Sequence, residues 1–298
     1  MRILLTGSSG FLGNIFFNFL QLDNELFSLN RKTGDYNYNL SNQIPSFPDP
    51  FDIVIHNAAK VHSIPNNIFD INDFYDVNVS GTLNLLSGLL DVGCPKMFVF
   101  ISSVSVYGLI EGENVDEDSP LNANDPYGKS KIAAEEIVKK WCSDNNVICT
   151  ILRLPLVVGP NPPGNLGSMI NGIKNGYYFN ISGGDCQKSM VLASDVAKFI
   201  LKAAEVGGVY NLTDGYHPNF NELSRFIGRQ LEKKYVSNMS LFFAKKLAFL
   251  GDKVWKKFPI NSDKLNKITS TLTFDDSKAR MAFGWNPTPV LKGFKIYE

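Results

Sequence analysis

Short apolar runs alternate with helically spaced apolar positions through the first half of the chain. Arg2-Ile3-Leu4-Leu5, Glu25 to Leu29, Phe51 to His56, Met97 to Ile101 and Val147 to Leu154 are of strand length and largely apolar. Runs without polar alternation suit strands covered on both faces, as in a parallel sheet. Between them Ile15-Phe16-Phe17 with Phe19-Leu20 and Leu22, then Val77 to Leu90, then Tyr127 to Trp141, repeat apolar residues at helical spacing. Strand and helix in alternation predict an α/β fold built on a doubly wound parallel sheet with helices on both faces.

The pattern changes after Pro155. Pro160, Pro162, Pro163, Gly164 and Gly167 crowd together, and short segments follow, punctuated by Gly183-Gly184 and Gly207-Gly208. We read residues 1–155 plus about 190–213 as the sheet domain, and 156–189 plus 214–298 as a smaller α/β lobe that binds substrate. Leu241 to Leu250 is the most apolar stretch of that lobe, but it is ten residues long and contains Lys245 and Lys246. A membrane span needs about 20 apolar residues, so an amphipathic helix of the second lobe is expected instead, with contact to a membrane surface as the lesser alternative.

Composition narrows the partners. Lys+Arg and Asp+Glu are both 29, so the formal charge is zero and nothing argues for nucleic acid. A small molecule is the expected partner. Cys94, Cys142, Cys149 and Cys186 form no C-x-x-C pair and are read as buried thiols of a reducing compartment. The sequence enters a strand directly, without the charged and apolar regions of a leader, so a cytoplasmic protein is expected. His56, His62 and His217 lack zinc-ligand spacing, and no Gly-x-Ser-x-Gly elbow occurs, so no metal or hydrolytic site is expected. Gly128-Lys129-Ser130 mimics the end of a phosphate loop, but Ala123 stands where its leading glycine belongs.

The chemistry begins at Thr6-Gly7-Ser8-Ser9-Gly10-Phe11-Leu12-Gly13, between the first strand and the first helix. Three glycines three apart permit a turn too tight for a Cβ, and the helix that follows points free N–H groups and its positive dipole end outward. This is a socket for a dinucleotide pyrophosphate, and it makes the sheet domain Rossmann-type. Gly7, Ser9, Gly10, Phe11, Leu12 and Gly13 would line it. The second strand ends at Asn30-Arg31, where an acidic residue would imply NAD; a cation there favours NADP(H) over NAD(H).

Tyr127 and Lys131 are four apart at a helix start and so share one face. With 11 tyrosines and 29 Lys/Arg in 298 residues, about one such pair arises by accident, and the chain holds one. Position carries the argument: the pair follows a strand whose carboxyl end bears Ser102 and Ser103, where ligands of open parallel sheets bind. A phenol near pKa 10 must be lowered by roughly three units, about 4 kcal/mol, to act as a base near neutrality. Lys131 is expected to supply much of that, with Ser103 holding the substrate oxygen.

Several ordered motifs together resemble the extended short-chain dehydrogenase/reductases of the NAD-dependent epimerase/dehydratase family. They are the glycine run, His56-Asn57-Ala58-Ala59, Asn78-Val79-Ser80-Gly81-Thr82, Ser102-Ser103-Val104-Ser105-Val106-Tyr107-Gly108, Tyr127-Gly128-Lys129-Ser130-Lys131 and Phe283-Gly284-Trp285-Asn286-Pro287. The resemblance implies Tyr127 as acid/base, Ser103 as oxygen-binding partner and Lys131 as a grip on the nicotinamide ribose. It further places Asn39-Leu40 at the adenine and Ala58, Ala59, Asn78, Ser102 and Pro155 along the cofactor. Ser103, Ser105, Leu156, Asn165, Lys188 and Arg280 would meet a nucleotide-sugar substrate, and a homodimer is implied.

Dehydratases of this family carry an Asp-Glu pair after the catalytic hydroxyl, and Val104-Ser105 replaces it here. Epimerases typically carry asparagine where this chain has Leu156. Arg153-Leu154-Pro155-Leu156-Val157-Val158-Gly159-Pro160, Ala58-Ala59-Lys60-Val61-His62 and Asp275-Asp276-Ser277-Lys278-Ala279-Arg280 look like the branch that reduces UDP-linked 4-keto-6-deoxy sugars. The leading expectation is therefore reduction of a UDP-linked 4-keto-6-deoxy-hexosamine. The runner-up is a UDP-sugar 4-epimerase, and a non-catalytic NADP-binding regulator is the alternative of another class.

Overall fold

In a computed structural model of the chain, residues 1–61, 68–233, 236–254 and 260–296 are described. The first strand, β1 (Arg2–Thr6), leads through helix α1 (Phe11–Leu20) to β2 (Glu25–Asn30) and a short β3 (Tyr36–Asn37). The chain then crosses to β4 (Ile53–His56), helix α2 (Ile68–Tyr75), a π-helical turn at Asp76–Ser80, helix α3 (Gly81–Val92) and β5 (Met97–Ser103). Helix α4 (Pro126–Asp144) feeds the strand Ile148–Leu154, and the strand Gly208–Asn211 completes a seven-stranded sheet. Its order is Gly208–Asn211, Ile148–Leu154, β5, β4, β1, β2, β3, and every pairing is parallel. The expected doubly wound α/β fold is the fold observed.

Burial explains why the strands carry no polar alternation. Ile3, Leu4 and Leu5 are all wholly buried. Ile3 and Leu5 pack with Phe16, Leu20, Val196 and Ile200 on one face, whereas Leu4 packs with Leu85, Leu89, Val138 and Phe98 on the other. Each such side chain contributes about 1.5–3 kcal/mol when withdrawn fully from water. The chain reverses its direction of travel across the sheet between β1 and β4. The carboxyl ends of those two strands therefore flank a crevice, the usual ligand position in open α/β sheets.

The region after Pro155 is built from smaller pieces. Leu156–Val158 pairs with Met190–Leu192, Phe179–Ile181 with Ser237–Met239, and Gly112–Val115 with Leu272–Phe274. The helix Ala193–Val206 returns to cover the main sheet. Trp285 is buried, donates Nε1 to Thr213 O at 3.0 Å and packs edge-on to Phe199. Phe283 and Trp285 thus anchor the C-terminal segment against the core of the main sheet.

Two expectations need correction. All four cysteines are free, but only Cys142 is buried; Cys94, Cys149 and Cys186 are half-buried. The stretch Leu241 to Leu250 is helical, within Leu241–Val254, but its amphipathicity is inverted. Its small residues Ala244 and Ala248 face the protein, while Phe242, Phe243, Phe249 and Leu250 are exposed. Helical periodicity says which residues share a face, not which face finds a neighbour. Among the described residues no helix is long and apolar enough to cross a membrane.

Candidate active site

The glycine turn is shaped by contacts that admit no side chain. Gly7 has φ of 69°, and a Cβ there would lie 2.8 Å from Ala58 Cα. A Cβ at Gly13 would collide with the Gly7 carbonyl oxygen, so the third glycine lets α1 press onto the turn. Helix α1 begins at Gly10 with no side-chain cap and no acidic residue in its first turn. Its first N–H groups, on Phe11, Leu12 and Gly13, thus remain available for an anion. The geometry of the turn fits a dinucleotide pyrophosphate, as its residue pattern predicts.

Thr6 locks β1 to β4 beneath this turn. Its Oγ1 accepts from Asn57 N at 3.1 Å and Ala58 N at 3.0 Å, so its own proton goes to His56 Nδ1, 2.7 Å away. His56 Nε2 then carries the ring proton and donates to Thr82 Oγ1 at 3.0 Å, while Thr82 donates onward to Asn78 O at 2.7 Å. Burial, reinforced by Lys131, drives the His56 pKa down to about 3, so the ring is neutral. His62 lies outside the described residues.

Several residues expected to line a cofactor prove to be tied into the protein. Asn30 is buried, its Oδ1 accepting from Ser9 N at 3.2 Å and its Nδ2 donating to Ser8 Oγ at 2.8 Å, so it holds the glycine turn. Arg31 beside it is exposed. Asn78 sits in the π-helical turn, accepts from Lys60 N at 2.8 Å and donates to Lys60 O and to Ser130 Oγ at 2.9 Å. It braces the loop after β4, where Ala58 and Ala59 lie half-buried, against α4. Asn39 is held through Gln43 and Ser41; Leu40 is buried against Gly81. Pro155 and Leu156 follow the carboxyl end of the strand Ile148–Leu154, both half-buried.

Sequence and backbone together bring Ser103 to Tyr127. Ser103 ends β5 and caps a 3₁₀ turn at Val104–Tyr107, its Oγ accepting from Ser105 N at 3.2 Å and lying 3.0 Å from Ser105 Oγ. Helix α4 starts with Asp125 as cap, its Oδ1 accepting from Gly128 N at 3.1 Å, and with Pro126 in the first helical position. A Cβ on Gly128 would stand 2.7 Å from Ser105 O and 2.5 Å from Ala123 Cβ. The bare glycine lets the helix start press onto the turn and brings Tyr127 beside Ser103.

The electrostatics run against the expected lowering of the phenol. Burial pushes Tyr127 up to about 12, opposed by the Ser103 hydroxyl and reinforced by Asp125. The ring is buried beside Phe74, with centroids 6.2 Å apart. Burial likewise pushes Lys131 down to about 8, with Glu135 opposing it. The Lys131 ammonium donates to Ile101 O at 2.8 Å and sits 4.5 Å from the Phe100 ring centroid. Desolvation, which disfavours whichever form is charged, outweighs the local partners at both residues.

Glu135 is a site residue that the sequence reading missed. It continues the stride Tyr127, Lys131, Glu135 along one helix face, and a charged residue on that buried face was the available signal. Its carboxylate is wholly buried, accepting from Ser102 Oγ at 2.6 Å and from Arg153 Nε and Nη2 at 3.1 and 2.8 Å. Arg153 also donates to Tyr107 OH at 3.0 Å, which donates to Asn211 Oδ1 at 2.8 Å. Ser102, expected along the cofactor, is thereby turned into this network.

The other expected substrate residues divide. Arg280 pairs with Asp276 at 2.7 Å, and Asp276 accepts from Thr213 beyond the strand Gly208–Asn211. Burial, outweighing Asp214, Asp276 and Asp275, pushes His217 down, with Arg280 adding to it; His217 Nδ1 lies 3.0 Å from Ser189 Oγ, next to half-buried Lys188. Arg280 thus lies by His217, whereas the ionisable neighbours of Lys188 are Cys186 and Lys267. Burial pushes Lys188 down to about 8, consistent with a cation held in a partly dry place. Asn165 is exposed on the first turn of the helix Gly164–Lys174, and no bond ties it to that group.

Residues 3–213 match the family described as NAD dependent epimerase/dehydratase. A similar protein is the N-acetyl-α-D-glucosaminyl-diphospho-ditrans,octacis-undecaprenol 4-epimerase of Escherichia coli O157:H7, 30% identical over 93% of this chain and 88% of its own. The UDP-glucose 4-epimerase of Vibrio cholerae is 27% identical over 98% of this chain and 93% of its own. Among solved structures, RMD from Pseudomonas aeruginosa complexed with NADPH superposes with a TM-score of 0.76 at 22% identity, covering 98% of this chain and 96% of its own. The UDP-glucose 4-epimerase of Thermotoga maritima with UDP-glucose has the same TM-score and coverage at 20% identity. These superpositions show the shared fold.

Proposed function

The chain belongs to the NAD-dependent epimerase/dehydratase family, NAD(P)-dependent enzymes of nucleotide sugars, and from that premise we propose that it epimerises C4 of a sugar carried on a diphosphate. The observation that carries the reading is the placing of Tyr127 beside Ser103 at the carboxyl edge of the sheet, with Lys131 one helical turn along. A relative alike over most of both chains acts on a diphosphate-linked sugar at C4, which supports this reaction over the reduction favoured by the sequence alone.

A bound nicotinamide dinucleotide supplies the hydride exchange at the sugar carbon. Gly7, Gly10 and Gly13 with the first turn of α1 would hold its pyrophosphate, and Lys131 its nicotinamide ribose. Exposed Arg31, beside the tethered Asn30, supports NADP(H) through the 2′-phosphate. Ser103 holds the sugar O4 by a hydrogen bond. Tyr127 takes the O4 proton and gives it back. Its resting pKa near 12 favours the return, and the uptake relies on the Lys131 ammonium to stabilise the phenolate. Lys188 and Arg280 would meet the substrate diphosphate, within a lobe of residues 156–189 and 214–298. Ser105, Leu156 and Asn165 complete the substrate contacts in this reading, and two copies would pair as a homodimer.

A second reading, reduction of a 4-keto sugar, is favoured by one observation: Leu156 stands where the epimerases it resembles carry asparagine. Cofactor stoichiometry separates the two. Incubated with UDP-linked and polyprenyl-diphosphate-linked hexosamines, an epimerase interconverts the C4 isomers without net NADPH loss. Consumption of one NADPH per 4-keto sugar would establish the reductase instead, and cofactor binding without turnover of any such substrate would remove both.

A further inference from the structure

The helix Leu241–Val254 buries the wrong side of itself for a helix of a water-surrounded lobe. Phe242, Phe243, Phe249 and Leu250 are 63%, 61%, 57% and 51% exposed. Ala244 and Ala248 are buried, packing with Leu265 and Ile181. Positions 242, 246, 249, 250 and 253 fall at i, i+4, i+7, i+8 and i+11, so one outward stripe carries Phe242, Lys246, Phe249, Leu250 and Lys253. The lysines lie among the rings: Lys246 Nζ is 4.4 Å from the Phe242 centroid and Lys253 Nζ is 4.3 Å from that of Phe249. Exposed Lys245 adds a third cation beside the stripe.

The charge of this helix is one-sided although the chain is neutral overall. Against three lysines stands one acidic residue, Asp252, and its carboxylate is engaged by the backbone N–H and hydroxyl of Ser262. The apolar surface continues onto an open groove of about 460 Å³ whose walls include Phe243, Leu247, Phe179 and Met239. Large rings and cations on one outward stripe match the interface of an anionic bilayer, where the rings enter the acyl boundary and the ammonium groups meet lipid phosphates.

We propose that the Leu241–Val254 helix docks the protein on the surface of an anionic phospholipid bilayer. The helix lies in the plane of the interface and spans nothing. Resting on the diphosphate-sugar reading above, the docked state brings the site to substrates whose diphosphate is carried by a membrane-embedded polyprenol.

The test is sedimentation of the full chain with vesicles of phosphatidylglycerol and phosphatidylethanolamine, beside vesicles of phosphatidylcholine alone. The expected result is binding to the anionic vesicles, weakened at least about tenfold by Phe242→Ser with Phe249→Ser, and separately by Lys246→Ser with Lys253→Ser. Turnover of a water-soluble nucleotide sugar by both double variants stays at the wild-type level and reports that they fold. Equal sedimentation with both vesicle types, or no loss in the variants, overturns the proposal. So does a dimer in solution that dissociates on Phe242→Ser with Phe249→Ser, which would give the stripe to a second copy. Vesicle binding without sugar turnover would sink the epimerase reading alone; turnover without binding would sink this one alone.

Discussion

The face of α4 and the face of the Leu241–Val254 helix break the ordinary rule of burial in opposite directions. The first hides Lys131 and Glu135, an ammonium and a carboxylate, among apolar neighbours; the second turns three large apolar rings toward water. The hidden charges are compensated: Lys131 by the Ile101 carbonyl, Glu135 by three donors from Arg153 and Ser102. Of the exposed rings, Phe242 and Phe249 have only a lysine over the face, and Phe243 meets Phe242 edge-on. A compensated exception is a working part of the fold itself, whereas an uncompensated one calls for something outside the chain.

The contrast can be broken most sharply at Tyr127. Tyr127→Phe removes one hydroxyl and is expected to lower turnover by about 10²–10⁴-fold. Titration of NADPH by fluorescence should give an affinity close to wild type, and undiminished turnover would remove Tyr127 from the chemistry. Next in size is Glu135→Gln, which leaves the Arg153 charge buried without its counter-charge. A loss of about 3–5 kcal/mol in urea unfolding is expected; a loss below 1 kcal/mol would mean that the network is dispensable.

The acid side offers a third test. His56 is held near pKa 3 when folded and returns toward 6.5 when unfolded. Between those values the unfolded chain binds a proton that the folded chain refuses, so stability falls as pH drops from 6.5 toward 3. The slope approaches about 1.4 kcal/mol per pH unit from this residue. In His56→Gln the acid limb of an unfolding-against-pH curve should be shallower by that amount, and an unchanged limb would contradict a neutral, clamped ring. The smallest effect belongs to the outward stripe. Phe242→Ser with Phe249→Ser should move stability by less than about 0.5 kcal/mol per site, because neither ring is buried; a large drop in melting temperature would show that the rings pack after all.

What the sequence disclosed follows the range of the interactions involved. The strands were legible because every residue of Ile3-Leu4-Leu5 is buried, whichever face it takes, and an apolar run records that directly. Tyr127 and Lys131 were legible because a helical stride is local. Glu135 lies on the same stride, but its partner Arg153 is 18 residues away on a neighbouring strand, and no periodicity announces such a pair. Asn78 similarly reaches Ser130 across 52 positions, so its bracing of two elements is not written in its local sequence. The phenol of Tyr127 was misjudged in direction because charge spacing can be read from letters and desolvation cannot. The orientation of the Leu241–Val254 helix escaped for a related reason: periodicity is symmetric between a stripe that faces a core and one that faces away.

The absent methyl at Gly128 has an effect on how this protein can vary. Since a Cβ there would meet Ala123 Cβ and the Ser105 carbonyl oxygen, the close approach of the α4 start to the turn after β5 depends on that bare position. Drift in the surrounding side chains can therefore alter the neighbourhood of the turn while that approach stays constant, and even alanine at this one position would push the helix start off the turn.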